Sequence, residues 1–116
     1  FDYVRDLFNK ADDALNIPIS KIILEGPKEL LDETENTQPA IFLASFSIFQ
    51  VIKKETSFDM TKADCFAGHS LGEYSALACS EVTDFVDTIR GAKIIASSFD
   101  GVRSFCFKIN RSTIVT

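Results

Sequence analysis

Apolar residues recur every three or four positions along the first part of the chain, with charged residues between them. The clearest stretch is Asp2–Leu15, and this spacing is typical of a helix with one buried face. The sequence NIP at 16–18 then ends the helix. Shorter apolar runs at 19–24 and 28–31, separated by the Gly-Pro pair at 26–27, predict two further short helical segments.

A long apolar helix is predicted at about residues 40–54. Its apolar positions cover most of its circumference, which is typical of a helix buried on several sides, and so predicts a central helix beside the sheet. The residues before it, 34–37, are polar and turn-like; Thr37 is suited to cap the helix and Pro39 to its first turn. Gln38 stands at that helix start, where a capping or solvated amide and a site residue are both open interpretations.

The last third of the chain predicts one more helix and a strand. Residues 83–90 favour a helix with Thr83 as its cap, and Gly91 either interrupts that helix or lies within it. From Arg103 on, Phe and Ile alternate with other residues, which predicts a strand. No repeat, low-complexity tract or linker divides the chain, so its 116 residues predict one small domain.

Composition excludes several classes of function. The net charge is −5 and no basic stripe is present, which argues against nucleic acid binding. No apolar run approaches the roughly 20 residues that a membrane helix needs. Three cysteines without CxxC spacing predict reduced, mostly buried thiols in a cytoplasmic protein. With one histidine and no paired ligands, no metal site is expected.

The sequence AGHSLGEYSAL at 67–77 carries the chemistry of the chain. It contains Gly-x-Ser-x-Gly, with Gly68, Ser70 and Gly72, between a short apolar segment and a helix-like stretch of small residues. This strand–turn–helix order is the context that a nucleophile elbow requires. Both glycines are expected to keep the turn free of side chains. The turn would present the Ser70 hydroxyl at a helix N-terminus, where an oxyanion is stabilised.

The residues around the serine predict its supporting groups. The Leu71 N–H follows the nucleophile and is a candidate oxyanion donor. His69 is expected to be a structural part of the elbow, because neighbours at a strand end point to opposite sides. Glu73 is interpreted as a first-turn carboxylate that stabilises the helix dipole rather than as a catalytic group. Arg90 is either a carboxylate-binding residue or a solvated arginine.

These motifs closely resemble those of the malonyl-CoA:acyl carrier protein transacylases. The resemblance runs from about residue 1 to residue 89, while 92–116 match nothing, and it rests on the elbow together with the sequence TQPA at 37–40. It implies an α/β fold: part of an α/β-hydrolase-like large subdomain, with the family's inserted ferredoxin-like small subdomain not present. The whole of 1–116 is then a partial acyltransferase domain.

The resemblance also implies a reaction, its partners and the roles of single residues. Ser70 would take a malonyl group from malonyl-CoA and pass it to acyl carrier protein in fatty acid biosynthesis, with no cofactor beyond the coenzyme A thioester. Leu71 matches an oxyanion donor and Gln38 a glutamine near the active site. Arg90 resembles the arginine of the family's Arg-Gly pair, although it comes more than a helical turn too early. A cytoplasmic enzyme that is monomeric at full length is expected.

A complete serine–histidine enzyme cannot be assembled from these residues, since His69 is the only histidine. The family's glutamine-rich N-terminal loop and later histidine base have no counterpart here, so the isolated chain is expected to be a poor catalyst. Two alternatives stay open. One is a serine esterase or thioesterase of the α/β-hydrolase class, and the other is a non-catalytic truncated paralogue that acts by binding.

Overall fold

The first helix follows the apolar spacing of the sequence. A computed structural model describes residues 1–98, 104–108 and 114–115, with side chains described for 1–60 and 62–94. In it α1 spans Asp2–Leu15, as predicted, and buries Ala11 and Leu15. It ends at Asn16, whose φ of 54° is left-handed, a conformation in which asparagine commonly terminates helices.

Two short helices follow, α2 at Ile19–Glu25 and α3 at Lys28–Asp32, which confirms the predicted segments. A carboxylate from α1 holds the start of α2: the Ser20 N–H and hydroxyl donate to Asp12, at 2.8 and 2.5 Å. Such a side-chain acceptor satisfies an N–H that the first turn of a helix leaves without an internal partner. The turn from α1 into α2 is therefore fixed by hydrogen bonding as well as by packing.

The long helix α4 spans Thr34–Glu55 and begins earlier than predicted. The prediction that 34–37 form a turn was wrong, as were the roles given to Thr37 and Pro39, because the helix starts after Glu33. The Thr37 hydroxyl donates back to the carbonyls of Glu33, at 3.0 Å, and Leu31, joining α4 to α3. Pro39 lies inside the helix and has no N–H to donate to the Glu35 carbonyl.

One face of α4 forms the centre of the core. Phe42 stacks on Phe46 and on Phe85, with ring centroids 5.9 and 5.7 Å apart, and Phe42 and Leu43 are fully buried. The helix packs mainly against α6, and its Phe49 ring also meets the ring of Phe66 in the sheet edge to face. Contrary to the predicted burial on several sides, its outer face is not buried: the exposed fractions are 49% for Ile41, 61% for Ile48 and 38% for Ile52.

The elbow joins strand β1, Cys65–His69, to helix α5, Gly72–Cys79. A short 3-10 helix at Met60–Lys62 precedes the strand. The order strand, turn and helix confirms the arrangement that the Gly-x-Ser-x-Gly spacing predicted.

The last helix, α6, spans Phe85–Ser98 without interruption at Gly91. Its cap is Asp84 rather than the predicted Thr83, because the Asp84 carboxylate accepts the N–H groups of Val86 and Asp87, at 3.1 and 3.4 Å. Thr83 instead hydrogen-bonds through its hydroxyl to the hydroxyl of Thr88. None of the helices in the described part of the chain is long and apolar enough to cross a membrane.

The described strands form one antiparallel sheet in the order β1-β2-β3. Strand β2 spans Ser104–Lys108, which confirms the strand predicted near the C-terminus, and β3 spans Ile114–Val115. Arg103 and Ile109, the ends of the alternating pattern, lie outside the described residues. The register pairs Gly68 with Phe105 and so places β2 directly beside the end of β1 that carries the elbow.

Candidate active site

Ser70 lies immediately after β1 in a backbone conformation that non-glycine residues rarely adopt. Its φ is 56°, in the left-handed region, which costs an ordinary residue about 1–2 kcal/mol. The conformation turns the chain sharply from the strand into α5, whose N-cap is Leu71. Strain of this kind is typical of a nucleophile held on a strand-to-helix turn.

Gly68 makes this turn sterically possible, whereas Gly72 does not have that role. A Cβ on Gly68 would lie 2.0 Å from the carbonyl carbon and oxygen of Gly72 and 2.5 Å from the Glu73 nitrogen. The strand therefore passes against the first turn of α5 at a distance that only glycine permits. A Cβ on Gly72 would meet no described atom within 4 Å, so the expectation that both glycines are required by crowding holds for Gly68 alone.

The first turn of α5 supplies the electrostatic environment of Ser70. The Glu73 N–H donates to the Ser70 carbonyl at 3.1 Å, which closes the turn. Glu73 is 6% exposed and lies in the first helical turn, near the positive end of the helix dipole. Leu71 is the N-cap residue of α5, so its N–H belongs to this same positive end, and its role as an oxyanion donor stays a prediction.

A cavity of about 520 Å³ lies beside Ser70. One of its walls is a face of α4 formed by Gln38, Ile41, Ser45 and Phe49, and we call this set the α4 wall. Gln38 lies inside α4 rather than at its start, and it lines the same cavity as Ser70. His69, Leu71 and Gly72 also line the cavity.

His69 is exposed and is the last residue of β1, where it pairs with Ser104 in the antiparallel register. It shares the cavity with the serine that follows it, and its purely structural role stays a prediction. Among the side chains that the structure describes, no group of three or more His, Cys, Asp or Glu residues is arranged to hold a metal ion.

The sequence matches the acyl transferase domain family over residues 2–95, most of the chain. The chain belongs to the acyl transferase domain family. It is 43% identical over 90 residues to the malonyl CoA-acyl carrier protein transacylase of Haemophilus influenzae, a match that covers 78% of this chain and 28% of that protein. The Escherichia coli K12 enzyme of the same name is 40% identical over 91 residues, with the same coverage.

Solved structures agree with the sequence relatives. The acyl-carrier-protein-S-malonyltransferase of Bartonella henselae superimposes with a TM-score of 0.73 at 36% identity, covering 84% of this chain and 31% of that one. A type II PKS acyl-carrier protein in complex with its malonyl-transacylase gives the same TM-score and identity, covering 30% of the matched chain. The acyl transferase fold is therefore shown, and the chain spans less than a third of the length of the relatives it matches.

Arg90 is not brought to the cavity of the acyl transferase domain. Its Nε donates to the Ala14 carbonyl at 3.2 Å, and Lys93 Nζ donates to the Leu15 carbonyl at 3.5 Å. Both groups therefore lie at the C-terminus of α1, where cations are favoured by the helix dipole and by the carbonyls of the last turn. Of the two interpretations of Arg90, this geometry favours the exposed arginine over the carboxylate-binding residue.

Most of the α4 wall was not predicted as part of the site. Ile41, Ser45 and Phe49 follow Gln38 at spacings of three and four residues, so they share one face of the helix. That spacing was visible in the sequence, but it also fits a buried core face. On the opposite side Cys79 lines the cavity, and burial raises the pKa of its thiol to about 11 while Lys53 acts in the opposite direction.

Proposed function

We propose that the chain is the nucleophile-bearing part of a malonyl-CoA:acyl carrier protein S-acyltransferase. The observation that carries the proposal is the position of Ser70, held at a φ of 56° between β1 and α5 and lining a cavity of about 520 Å³. The names of the relatives give the acyl group and the carrier. The setting we propose is fatty acid biosynthesis in the cytoplasm, on an α/β-hydrolase-like large subdomain.

The reaction passes through an ester on Ser70. The serine oxygen attacks the thioester carbonyl of malonyl-CoA, a base takes the hydroxyl proton, and the carbon–sulfur bond breaks to release the coenzyme A thiol. The pantetheine thiol of acyl carrier protein then attacks the ester and restores the serine. In both steps the Leu71 N–H, at the positive end of α5, would donate to the developing oxyanion. Gln38 is half-buried on the α4 wall and would contact the bound acyl group.

Two groups of the reaction are proposed to come from outside these 116 residues. His69 is the only histidine of the chain and directly precedes Ser70, a position from which a side chain cannot easily reach the serine hydroxyl. We therefore assign the base to another part of the enzyme. Arg90 lies at the C-terminus of α1, so a different residue would bind the malonyl carboxylate.

The test is acylation of Ser70 by malonyl-CoA, followed by mass spectrometry of the intact chain and its peptides. We expect slow, stoichiometric formation of a malonyl ester on Ser70, no ester in Ser70→Ala, and wild-type behaviour in Ser80→Ala, whose serine lies outside the cavity. Modification elsewhere, or none after prolonged incubation, contradicts the proposal. Rapid transfer to acyl carrier protein by this chain alone would contradict the assignment of the base to another segment.

A parallel assay separates the transferase from the esterase alternative. The chain is incubated with a neutral aryl acetate, whose hydrolysis releases a coloured phenol. A transferase of this family is expected to give no Ser70-dependent turnover with it. Sustained hydrolysis that is lost in Ser70→Ala would assign the site to an esterase instead.

A further inference from the structure

A stripe of exposed, mostly apolar side chains runs along the side of α4 that faces away from the core. Its residues recur at spacings of three and four, and we call this set the outer stripe: Ile41, Ala44, Ser45, Ile48 and Ile52. All five are exposed, whereas Phe42 and Leu43 on the core side are buried. A surface helix normally has polar residues on its outer side, and a helix that is apolar on both sides is usually covered on both. The outer stripe therefore predicts a second packing partner for α4.

The outer stripe has nearly the same arrangement when its central residues are followed in either direction. Ile41 and Ile48 are equally distant from the midpoint between Ala44 and Ser45, where the side chains are small. A two-fold axis through this midpoint would set Ile41 of one copy against Ile48 of the partner subunit and bring the two helices close together at their small residues. The stripe is thus suited to pack against itself in the antiparallel direction.

The acidic start of α4 disfavours the parallel direction. Glu33 is the N-cap and Glu35 lies in the first turn, so parallel helices would place the carboxylates of both copies side by side. Antiparallel helices would place them beside the last turn, in which Lys53 and Lys54 outnumber Glu55. Opposed helix dipoles favour the same arrangement. Charge and side-chain shape therefore select the same direction.

The size of this surface sets the strength of association that we expect. A helix of 22 residues presents a strip about 33 Å long and about 10 Å wide. Phe58, which is exposed and lines a cavity of about 670 Å³ with Ile52, extends the apolar surface beyond the stripe. The strip is smaller than the roughly 800 Å² per partner of a standard stable interface, so the contact should be reversible, with a Kd on the order of 10–100 µM.

We propose that two copies of this chain associate through the outer stripe, as an antiparallel pair of α4 helices about a two-fold axis near Ala44 and Ser45. Ile41 and Ser45 belong both to the outer stripe and to the α4 wall, so the partner copy would border the cavity beside Ser70. The inference does not depend on the reaction proposed for that serine. Ser70→Ala is accordingly expected to associate as the wild-type chain does.

The test measures association by sedimentation velocity, from about 5 to about 200 µM, a range that brackets the expected Kd. Two variants carry the same substitution at two isoleucines of similar exposure. Ile48→Glu changes the outer stripe, where the side chain is 61% exposed, and Ile94→Glu changes α6, where it is 67% exposed. Circular dichroism verifies that both variants fold.

We expect the mass of the wild-type chain to rise with concentration from 12.9 kDa towards twice that value. Ile48→Glu should raise the Kd at least about tenfold, because each dimer would bury two carboxylates against apolar side chains. Ile94→Glu should change the Kd less than about twofold. A wild-type chain that stays monomeric at about 200 µM overturns the proposal and assigns the outer stripe to a different partner. Equal weakening by the two variants also overturns it, since the contact would then lie elsewhere.

Cross-linking tests the direction of the two helices. The proposed axis brings Ser45 of the two copies together, whereas the two Ile52 residues would lie about 15 positions apart in register, about 22 Å along the helix axis. Oxidation should therefore link Ser45→Cys into a disulfide dimer and leave Ile52→Cys at the level of the wild-type chain, which has three cysteines of its own. Linking of both variants, or of neither, would overturn the antiparallel arrangement.

Discussion

The residues at the two ends of α5 have nearly the same positive φ in different surroundings. Ser70, just before the helix, has a φ of 56°, and Glu81, just after it, has a φ of 63°. Ser70 lines the cavity, while Glu81 is exposed and forms a 3.0 Å ion pair with Lys53. The left-handed residue at the start of α5 thus places a hydroxyl at the cavity, whereas the one at the end of α5 lies on the surface outside the cavity.

The two ends are also held by different forces. At the N-terminal end the backbone of Gly72 lies against Gly68 with no space for a side chain. At the C-terminal end, hydrogen bonds close the helix: the Glu81 and Val82 N–H groups both donate at 3.1 Å, to the carbonyls of Ala78 and Leu77 respectively. This is a common helix termination that usually has glycine at the left-handed position. Steric exclusion therefore shapes one end and ordinary capping the other.

Among substitutions at the two ends of α5, Gly68→Ala is expected to lower the free energy of unfolding the most. The added Cβ would overlap backbone atoms of Gly72, which cannot move aside like the end of a flexible side chain. We expect the free energy of unfolding, measured by denaturant titration, to fall by about 3 kcal/mol. Acylation of Ser70 by malonyl-CoA should be lost as well, because the strand and helix must separate.

The matched control is the second glycine of the motif. Gly72→Ala adds the same methyl group where no described atom lies within 4 Å. The free energy of unfolding should change by less than about 0.5 kcal/mol. If the two alanine variants were equally destabilised, the close approach of strand and helix would not be the reason for Gly68.

The local part of the site could be predicted from sequence, because it depends on neighbours along the chain. The spacing of Gly68 and Ser70 fixes a strand–turn–helix order through the sterics of a few residues, and the apolar spacing of Asp2–Leu15 fixes α1 in the same way. The helical spacing of the α4 wall was equally local. What the sequence could not distinguish was whether that face borders a cavity or the core.

The expectations failed where contacts between elements, rather than the residue pattern within one element, decide the structure. One of the two interpretations of Arg90 rested on an Arg-Gly pair, but the Arg90 Nε donates to the carbonyl of Ala14, 76 positions away on α1. Residues 34–37 were interpreted as a turn because they are polar, and Pro39 was placed in the first turn of the helix. Asn36 is buried there instead, and its amide donates to the Leu30 carbonyl at 2.9 Å, so packing against α3 extends the helix through polar residues.

The thiol of Cys79, at the C-terminal end of α5, should react slowly with alkylating reagents. Cys79, the last residue of the helix, has a thiol pKa raised from 9.0 to about 11 by burial. Only the thiolate is alkylated, so at pH 8 Cys79 should react about a hundredfold more slowly than a thiol with an ordinary pKa. Iodoacetamide labelling followed by peptide mass spectrometry would measure this, with the exposed Cys65 as the internal reference.

The pH dependence of stability gives a second measurement of Cys79. Because its pKa is higher in the folded chain, burial of the neutral thiol stabilises the fold fully below pH 9, and this contribution is lost as the pH rises towards 11. Cys79→Ala should flatten that part of the stability profile. Equal labelling rates of Cys79 and Cys65 at pH 8 would contradict the effect of burial.

The smallest expected effect on the free energy of unfolding comes from relieving the strained left-handed backbone at Ser70 and Glu81. Glycine adopts positive φ without the cost that a Cβ brings, but it loses more backbone freedom on folding. At each end of α5 the glycine variant should therefore be more stable than the alanine variant by about 0.5–1 kcal/mol. Alanine is the proper reference, since Glu81→Ala and Glu81→Gly both lose the exposed ion pair with Lys53, which contributes about 0–1 kcal/mol.

The glycine and alanine substitutions at Ser70 and Glu81 also separate backbone strain from reactivity. Glu81→Gly should be more stable than Glu81→Ala, and its Ser70 should still be acylated at the wild-type rate, because Glu81 lies outside the cavity. Ser70→Gly should exceed Ser70→Ala in free energy of unfolding by a similar amount. It should be acylated no more than Ser70→Ala. A gain at Glu81 but not at Ser70 would mean that contacts of the elbow, rather than the serine backbone alone, set the φ of 56°. In that case the left-handed conformation at the nucleophile would be imposed by Gly68 and the first turn of α5, and the substitution that breaks it would be Gly68→Ala.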